Sequence, residues 1–371
     1  MNKTQQDDLL TRACDGATLS VSEGIEIMQH AGLPDLMAAA HHVRMKWHPH
    51  NRVTWIIDRN VNISNVCHAG CLFCNFSCSR SAEAAFVTNM DAYREKVSEL
   101  FAMGGNQLLL QGGLHPDLGL AFYVDLFRSL KEAFPALRLH ALGPPEVVHL
   151  ANLEGIAVEE VLDHLIDAGL DSLPGAGAEI LSDRVRQMLS PGKCNTHEWL
   201  QVMYHAHQKR VVTSSTMMFG HLETLEERLQ HLVLLRELQE QKPDDAVGFI
   251  SFIPWTFQDT HTALAKRHGV VNSVTALEYI RFFAVARLML NNIANLQPSW
   301  LTVGVPTAQI CLHGGGNDFG SVMIEEHVVS SAGAKHSMDK DGIQQAIRMA
   351  GFLPVRRDQH FNLMEDPSPT E

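Results

Sequence analysis

The chain has 371 residues, 45% of them hydrophobic and 19% charged, so it can bury a large core in one or two domains. Its formal net charge of -13 at pH 7 gives no basic surface for nucleic acid or an anionic membrane. The sequence opens without a signal-like basic and apolar stretch, and no apolar run approaches the roughly twenty residues of a membrane helix. We therefore expect a cytoplasmic protein with no membrane span and no nucleic acid partner.

The order of apolar segments predicts the architecture. Residues 1–50 carry a helical pattern and are predicted to form an N-terminal helical extension. From residue 51, strand-like segments alternate with helical patterns at 91–103, 158–169, 179–189, 196–209, 224–240 and 274–293. Six strand-helix periods are clear, and two more are expected near 296–303 and 314–320. This alternation predicts the α/β class, with residues 51–371 forming a partial or complete TIM-type barrel with a C-terminal elaboration.

Three cysteines form the strongest motif in the chain. Cys67, Cys71 and Cys74 lie within eight residues, directly after the strand-like segment VNISNV. Thiolates at this spacing can bind three irons of a cubane cluster and leave the fourth iron without a protein ligand. An open iron offers a coordination position to a small molecule.

A structural zinc site is the alternative explanation for these cysteines. Cys78 could supply a fourth thiolate, because tetrahedral zinc usually takes four protein ligands. However, zinc ribbons usually join two separated cysteine pairs, and no second CxxC or CxxH pair follows. The spacing therefore favours an iron-sulfur cluster over a zinc-stapled structural or binding protein.

The motif CxxxCxxC, with an aromatic residue before the last cysteine, resembles the signature of the radical S-adenosylmethionine (SAM) superfamily. The resemblance implies a [4Fe-4S] cluster on Cys67, Cys71 and Cys74, with SAM bound to the open iron and cleaved to a 5'-deoxyadenosyl radical. It also implies that Phe73 packs near the adenine of SAM. A core aromatic is the competing explanation for Phe73.

Two glycine-rich segments match further cofactor positions of the superfamily. Gln111, Gly112 and Gly113 follow an apolar strand, where the resemblance implies that the backbone holds the methionine amino group. Glu179 ends the segment LPGAGAE and is expected to face the ribose or amino group of SAM. Glu179 could equally be an acidic residue in the first turn of a helix, favourable to the helix dipole.

Longer segments narrow the resemblance to the menaquinone (futalosine pathway) branch of the superfamily. They are DRNVNISNVC, LQGGLHPDL, SLPGAGAEIL, SPGKCNTHEWL, FIPWTF, GGNDFG and EEHVVSSAGA. Within this branch they are most similar to the synthases of cyclic dehypoxanthinyl futalosine. The segment NFSCSRSAEAAF departs from the commoner spelling, which puts the local substrate contacts in doubt.

The resemblance implies a reaction on dehypoxanthine futalosine, a sugar joined to a carboxylated aromatic ring. Hydrogen is abstracted from C4' of the sugar, and the carbon radical adds to the ring. An electron donor such as flavodoxin or ferredoxin is implied as the partner. Aminofutalosine synthase and the deazaflavin-forming radical enzymes share the cysteine motif and remain alternatives.

The cavity wall is expected to be largely apolar, because a radical needs protection from water. Met217, Met218, Phe219 and Trp255 are candidates for that wall, with His221 as a polar end. Each could instead be a core or structural residue. The sequence assigns no residue to the deprotonation step.

Overall fold

The structure is a computed structural model that describes residues 3–326, 329–334 and 336–364. Residues 1–2 of the predicted extension, residues 365–371 of the predicted barrel domain, and two residues of the segment EEHVVSSAGA lie outside these ranges. The α/β fold class is confirmed, because helices alternate with parallel strands along the chain.

The strands and helices have the following bounds. The strands are β1 Arg52–Ile56, β2 Asp58–Asn62, β3 Gln107–Gln111, β4 Arg138–Ala141, β5 Ser172–Leu173, β6 Val212–Phe219, β7 Phe249–Thr256, β8 Asn295–Leu296, β9 Asp318–Ser321 and β10 Leu353–Arg356. The helices are α1 Lys3–Cys14, α2 Val21–His30, α3 Leu33–Trp47, α4 Met90–Ala102, α5 Leu120–Ala133, α6 Pro144–Glu154, α7 Val158–Asp167, α8 Asp183–Leu189, α9 Thr196–Gln208, α10 Leu225–Glu240, α11 Ala263–His268, α12 Ala276–Met289, α13 Trp300–Val303, α14 Val305–His313 and α15 Lys340–Met349, with a 3-10 turn at Ser330–Ala332.

Strands β2 to β8 form a seven-stranded parallel sheet in chain order, curled as in a barrel. Strand β1 continues into β2 through one residue and lies between β9 and β10 in a second parallel sheet. Asn317 links strand β8 of the curled sheet to strand β1 of the second sheet: its N–H donates to Leu296 O at 3.2 Å, and its carbonyl accepts from Thr54 N at 3.0 Å. Strands are present near both later positions, with β8 in the curled sheet and β9 in the second sheet.

The helical predictions agree with the structure except in one functional segment. The helix predicted at 179–189 begins only at Asp183, because residues 174–182 form an irregular loop. In that loop Glu179 has a φ of 40°, which a regular right-handed helix does not allow. Glu179 is therefore not a helix-terminus acid but a loop residue.

Helices α1 to α3 share one continuous apolar core with the barrel. Arginine side chains from the barrel helices also bond to carbonyl groups in this region: Arg236 donates to Leu19 O at 2.9 Å and Arg281 to Ala31 O at 2.7 Å. The division of the chain at residues 50 and 51 stays a prediction. Within the described ranges, no helix is both long enough and apolar enough to span a membrane.

Candidate active site

One cavity of about 400 Å³ runs through the inside of the barrel. Its rim, at the carboxyl ends of the strands, is lined by Cys67, Cys71, Cys74, Phe73, Gln111, Gly112, Gly113, Glu146, Glu179 and Lys193. Its floor, toward the amino ends of the strands, is lined by Asp58, Gln107, His140, Ser321, Arg357 and Gln359. All eight predicted site residues therefore lie at the rim, where α/β barrels place their active sites.

Main-chain hydrogen bonds hold the cysteine loop against its neighbours. Leu72 N donates to Leu189 O at 2.8 Å, and Gly192 N donates to Ala69 O at 3.0 Å. The thiol sulfur of Cys67 accepts from Leu114 N at 3.2 Å. The loop is thus fixed by the segments that follow β3 and α8, so the three thiols keep a defined arrangement.

The three cysteines of the motif line the cavity, whereas Cys78 does not. Among the described residues, no three His, Cys, Asp or Glu side chains are grouped closely enough to hold a single metal ion. Zinc requires its thiolates at about 2.3 Å from one point, whereas cubane ligands bind separate irons. Cys78 does not line the cavity, and its main chain pairs with Asn65 and Cys67. Cys78 is thus held beside the cysteine loop by main-chain contacts, outside the cavity lining.

The glycines after β3 are required by close packing. A Cβ added to Gly113 would lie 2.2 Å from Val66 O and 2.7 Å from Cys67 Cβ. Real Cβ atoms do not approach a backbone oxygen so closely, and the backbone at Val66 cannot swing away as a side chain could. Gly113 N also donates to Ser64 O at 2.8 Å. Gly113 therefore lets β3 meet the start of the cysteine loop directly.

Glu179 and Lys193 form a buried ion pair beside the thiols. Lys193 Nζ donates to Glu179 Oε1 at 2.9 Å, while Glu179 Oε2 lies 3.7 Å from Arg186 and accepts no hydrogen bond. Glu179 is only 5% exposed, so an unsatisfied carboxylate oxygen here is costly unless a ligand donates to it. Lys193 Nζ also lies 5.3 Å from the centre of the Phe73 ring.

Burial and charge set the protonation of the rim. Burial raises the pKa of the Cys71 thiol to about 12, so a metal must displace its proton to bind the thiolate. Burial alone would lower the pKa of Lys193, but the neighbouring Cys71, Glu179 and Glu146 raise it, and the ammonium stays charged. Burial also raises the pKa of Glu146.

The cavity wall is largely apolar, as expected, but three of the four side chains named for it do not line it. Trp255 lines the cavity, but Met217, Met218 and Phe219 are fully buried elsewhere in the core. His221 Nε2 bonds to Met218 O at 2.9 Å, and its Nδ1 lies 3.1 Å from Glu223 in a fully buried pair. His221 is therefore a structural residue and not a polar end of the cavity.

Polar side chains occupy much of the cavity wall that the sequence did not identify. Asp58, Asn60 and Asn62 alternate along β2 and all face the cavity, in register with Gln107, Leu109 and Gln111 on β3. The period of two in DRNVN was the signal available in the sequence. Lys193 in the segment SPGKC was also missed, because nothing local to that loop indicates burial against the thiols.

The floor is held together by buried polar contacts. Arg357 donates from Nε to Asp318 Oδ2 at 2.6 Å and from Nη2 to Asp318 Oδ1 at 2.9 Å. Gln359 Nε2 donates to His140 Nδ1 at 2.8 Å, and Gln107 Nε2 lies 3.3 Å from Asp58 Oδ2. Ser321 donates to the other oxygen of Asp58. The segment after β10 thus completes the amino-terminal end of the barrel.

These residues fit a cluster with a bound nucleoside-containing cofactor. The rim offers three thiols facing one cavity, a backbone approach at Gly113 and an unsatisfied carboxylate oxygen on Glu179. The donor set suits soft iron at the thiols and cationic or hydroxyl groups at the carboxylate.

Two family models match the chain. The model of the radical SAM superfamily matches residues 61–235, and that of the CofH/MqnC C-terminal region matches residues 246–370. Cyclic dehypoxanthine futalosine synthase of Streptomyces coelicolor is 38% identical, over 99% of this chain and 91% of that protein. Aminodeoxyfutalosine synthase of Thermus thermophilus is 37% identical, over 94% of this chain and 92% of that protein.

The fold is similar to that of methylornithine synthase (PylB), with a TM-score of 0.71 over 94% of this chain and 97% of that one. The sequence identity is 18%, so this likeness concerns the fold alone. It places the same type of barrel around the described cavity.

Proposed function

The chain belongs to the radical SAM superfamily of enzymes, which implies a [4Fe-4S] cluster and SAM, and we propose that it cyclises dehypoxanthine futalosine in menaquinone biosynthesis. The observation that carries this proposal is the 38% identity to a cyclic dehypoxanthine futalosine synthase over 99% of the chain. The cavity supports it, because one enclosed space joins three thiols to a polar floor that can bind a sugar.

We assign the rim to the cofactors. Cys67, Cys71 and Cys74 are the cluster ligands, and Phe73 packs toward the adenine. Gln111, Gly112 and Gly113 present backbone groups to the methionine amino group, while Glu179 accepts from SAM through its unsatisfied oxygen. Lys193 orients the Glu179 carboxylate through the 2.9 Å contact. When bound, the cluster and SAM supply a 5'-deoxyadenosyl radical.

The substrate change balances without an external oxidant. C4' of the sugar loses a hydrogen atom, which leaves as part of 5'-deoxyadenosine, and C4' then bonds to a carbon of the aromatic ring. The ring releases one proton and one electron to restore aromaticity. That electron equals the one that a flavodoxin or ferredoxin supplies at the start, so SAM is the net oxidant.

The chain itself supplies position and shelter from water. Trp255, Ile253 and Leu109 provide apolar surface between the rim and the floor. Walls of the barrel around the cavity limit the access of solvent to the substrate while it carries an unpaired electron.

The test is anaerobic turnover. Protein reconstituted with iron and sulfide is reduced and given SAM and dehypoxanthine futalosine, and 5'-deoxyadenosine and the cyclised product are measured by mass spectrometry. Both products should form. If neither forms from protein with an intact cluster, the proposal is wrong.

Aminofutalosine synthase is the second candidate, because its relative is 37% identical over 94% of this chain. That reaction adds the deoxyadenosyl radical to an enolpyruvyl substrate. The same assay with the enolpyruvyl substrate separates the two functions, since the adenosyl group then stays in the product.

A further inference from the structure

The floor contains two amide oxygens without hydrogen-bond partners. Gln107 is 5% exposed and Gln359 is 7% exposed, and the Oε1 atom of each is shielded from water and accepts no hydrogen bond. Both side chains line the cavity. A buried oxygen of this kind costs about 1–3 kcal/mol, so native proteins rarely retain it without a reason.

The interior around these amides is unusually polar for a barrel. Barrel interiors are normally filled by layers of branched apolar side chains. Here Asp58 on β2 is in register with Gln107 on β3, and Asn60 on β2 is in register with His140 on β4 through Leu109 on β3. A group of polar side chains at one end of a largely apolar cavity is the arrangement expected for binding a polar part of a ligand and not for packing a core.

The hydrogen bonds within the floor show which of its polar atoms remain without a partner. The Nε2 atoms of Gln107 and Gln359 each contact a protein acceptor, at 3.3 and 2.8 Å. Because an amide nitrogen only donates, His140 Nδ1 accepts from Gln359. Burial lowers the pKa of His140 to about 3, so its ring is neutral. The two unsatisfied amide oxygens of the floor are therefore acceptors, while the neutral His140 ring carries its proton on Nε2.

The floor has no cation available for a carboxylate. Arg357 is paired with Asp318 by two hydrogen bonds of 2.6 and 2.9 Å. Its guanidinium carbon also lies 3.8 Å from the centre of the Phe361 ring. A carboxylate placed here would meet two amide oxygens and the Asp58 carboxyl, which are acceptors or anions themselves.

From these contacts we propose that the floor binds the hydroxyl groups of the sugar through Gln107 and Gln359, which orients the substrate with its aromatic carboxylate away from the floor. This inference rests on the proposed function, because it takes dehypoxanthine futalosine as the ligand. Hydroxyl groups of the sugar donate to the two amide oxygens. The sugar end of the substrate therefore lies in the floor, facing the cysteine rim across the cavity.

The test measures equilibrium binding, which does not depend on turnover. Dehypoxanthine futalosine is titrated by calorimetry into protein that carries the cluster and SAM, without reductant. Two analogues are compared with it. The deoxy analogue lacks the hydroxyl group at the anomeric carbon of the sugar, the carbon from which the base has been removed. The amide analogue carries an amide in place of the aromatic carboxylate. Wild-type protein should bind the deoxy analogue about tenfold more weakly.

The variants Gln107→Met and Gln359→Met keep a side chain of similar length without the amide. Each should weaken binding of the natural substrate about tenfold, and at least one should lose the discrimination against the deoxy analogue. Gln208→Met is the matched control, because Gln208 lies on α9 and bonds to Gln241 O outside the cavity. Thermal unfolding and iron content establish that each variant is folded.

Three results would overturn the orientation. The first is that wild-type protein binds the deoxy analogue as tightly as the natural substrate. The second is that both glutamine variants still bind the natural substrate more tightly than the deoxy analogue, by the same factor as wild type. The third is that the variants lose the difference in affinity between the natural substrate and the amide analogue instead. Binding with the expected discrimination but without cyclised product would refute the proposed function and leave the floor assignment in place. Failure of wild-type protein to bind dehypoxanthine futalosine would refute both.

Discussion

The two ends of the cavity are built in opposite ways. The rim takes its three thiols from one loop of eight residues, whereas the floor combines Asp58, Gln107, His140 and Gln359 from four distant parts of the chain. The rim is a local motif supported by close backbone contacts. The floor exists only after the barrel has formed.

This difference separates the roles of the two ends. A local loop can hold the same cofactors in many enzymes, because its geometry depends on few neighbours. A floor composed of separate strands can change one side chain at a time without disturbing the cofactor end. The rim therefore indicates the superfamily, and the floor is the part that can distinguish substrates.

Removing a thiol from the rim should have the largest effect of the four substitutions considered. Cys71→Ala should lose the cluster and all product, because a cubane needs the third thiolate. Iron content, visible absorbance and turnover after anaerobic reconstitution measure this. Cys78→Ser is the control and should retain both the cluster and activity. Equal loss in the two variants would revive the zinc alternative.

Gly113→Ala tests whether the rim depends on the close backbone contact. The added Cβ would meet Val66 O at 2.2 Å and should push the cysteine loop outward. We expect a loss of most of the iron and about 1–3 kcal/mol of stability, measured by iron analysis and denaturant unfolding. Gly314→Ala is the control, since its nearest neighbour atom would be at 3.6 Å. Normal iron content in the Gly113 variant would contradict the role of this contact.

Asp58→Asn tests the electrostatics of the floor. Burial raises the pKa of Asp58 from 3.8 to about 6, so the folded state binds the proton more tightly than the unfolded state. Stability should therefore fall as pH rises from about 4 through 6, and the variant should lack this fall.

We expect the variant to gain about 2 kcal/mol relative to wild type between pH 4 and pH 7, measured by denaturant unfolding. Asp341→Asn removes an exposed carboxylate on α15 and serves as the control. Parallel pH curves for wild type and the Asp58 variant would show that this carboxyl is not desolvated.

Glu179→Gln should have the smallest effect of the four. It keeps the side-chain volume but removes the charge that faces Lys193 and the cofactor space. We expect SAM to bind about tenfold more weakly while the iron content stays unchanged, measured by equilibrium dialysis. Glu132→Gln, an exposed change on α5, is the control. Unchanged SAM binding would remove Glu179 from the cofactor site.

The sequence was informative where the chemistry is local. The cysteine spacing, the two glycine-rich segments and the alternation of strands and helices led to the barrel and to eight of the ten residues of the rim. Glu179 was placed at a helix start because Gly-rich loops and helix termini share composition. The wall residues Met217, Met218 and Phe219 were misassigned, since period-two patterns do not tell which face of a barrel strand points inward.

Gln359 and Arg357 could not be predicted as cavity residues, because only tertiary packing brings the segment after β10 under the barrel. The same holds for Lys193, whose burial against Cys71 depends on the loop after α8.

The position of β10 beside β1 has a consequence for synthesis on the ribosome. Residues 353–361 emerge after every other part of the barrel, so the cysteine loop is complete long before the floor. A nascent chain can thus acquire the means to hold iron while it still lacks the surface that selects a sugar.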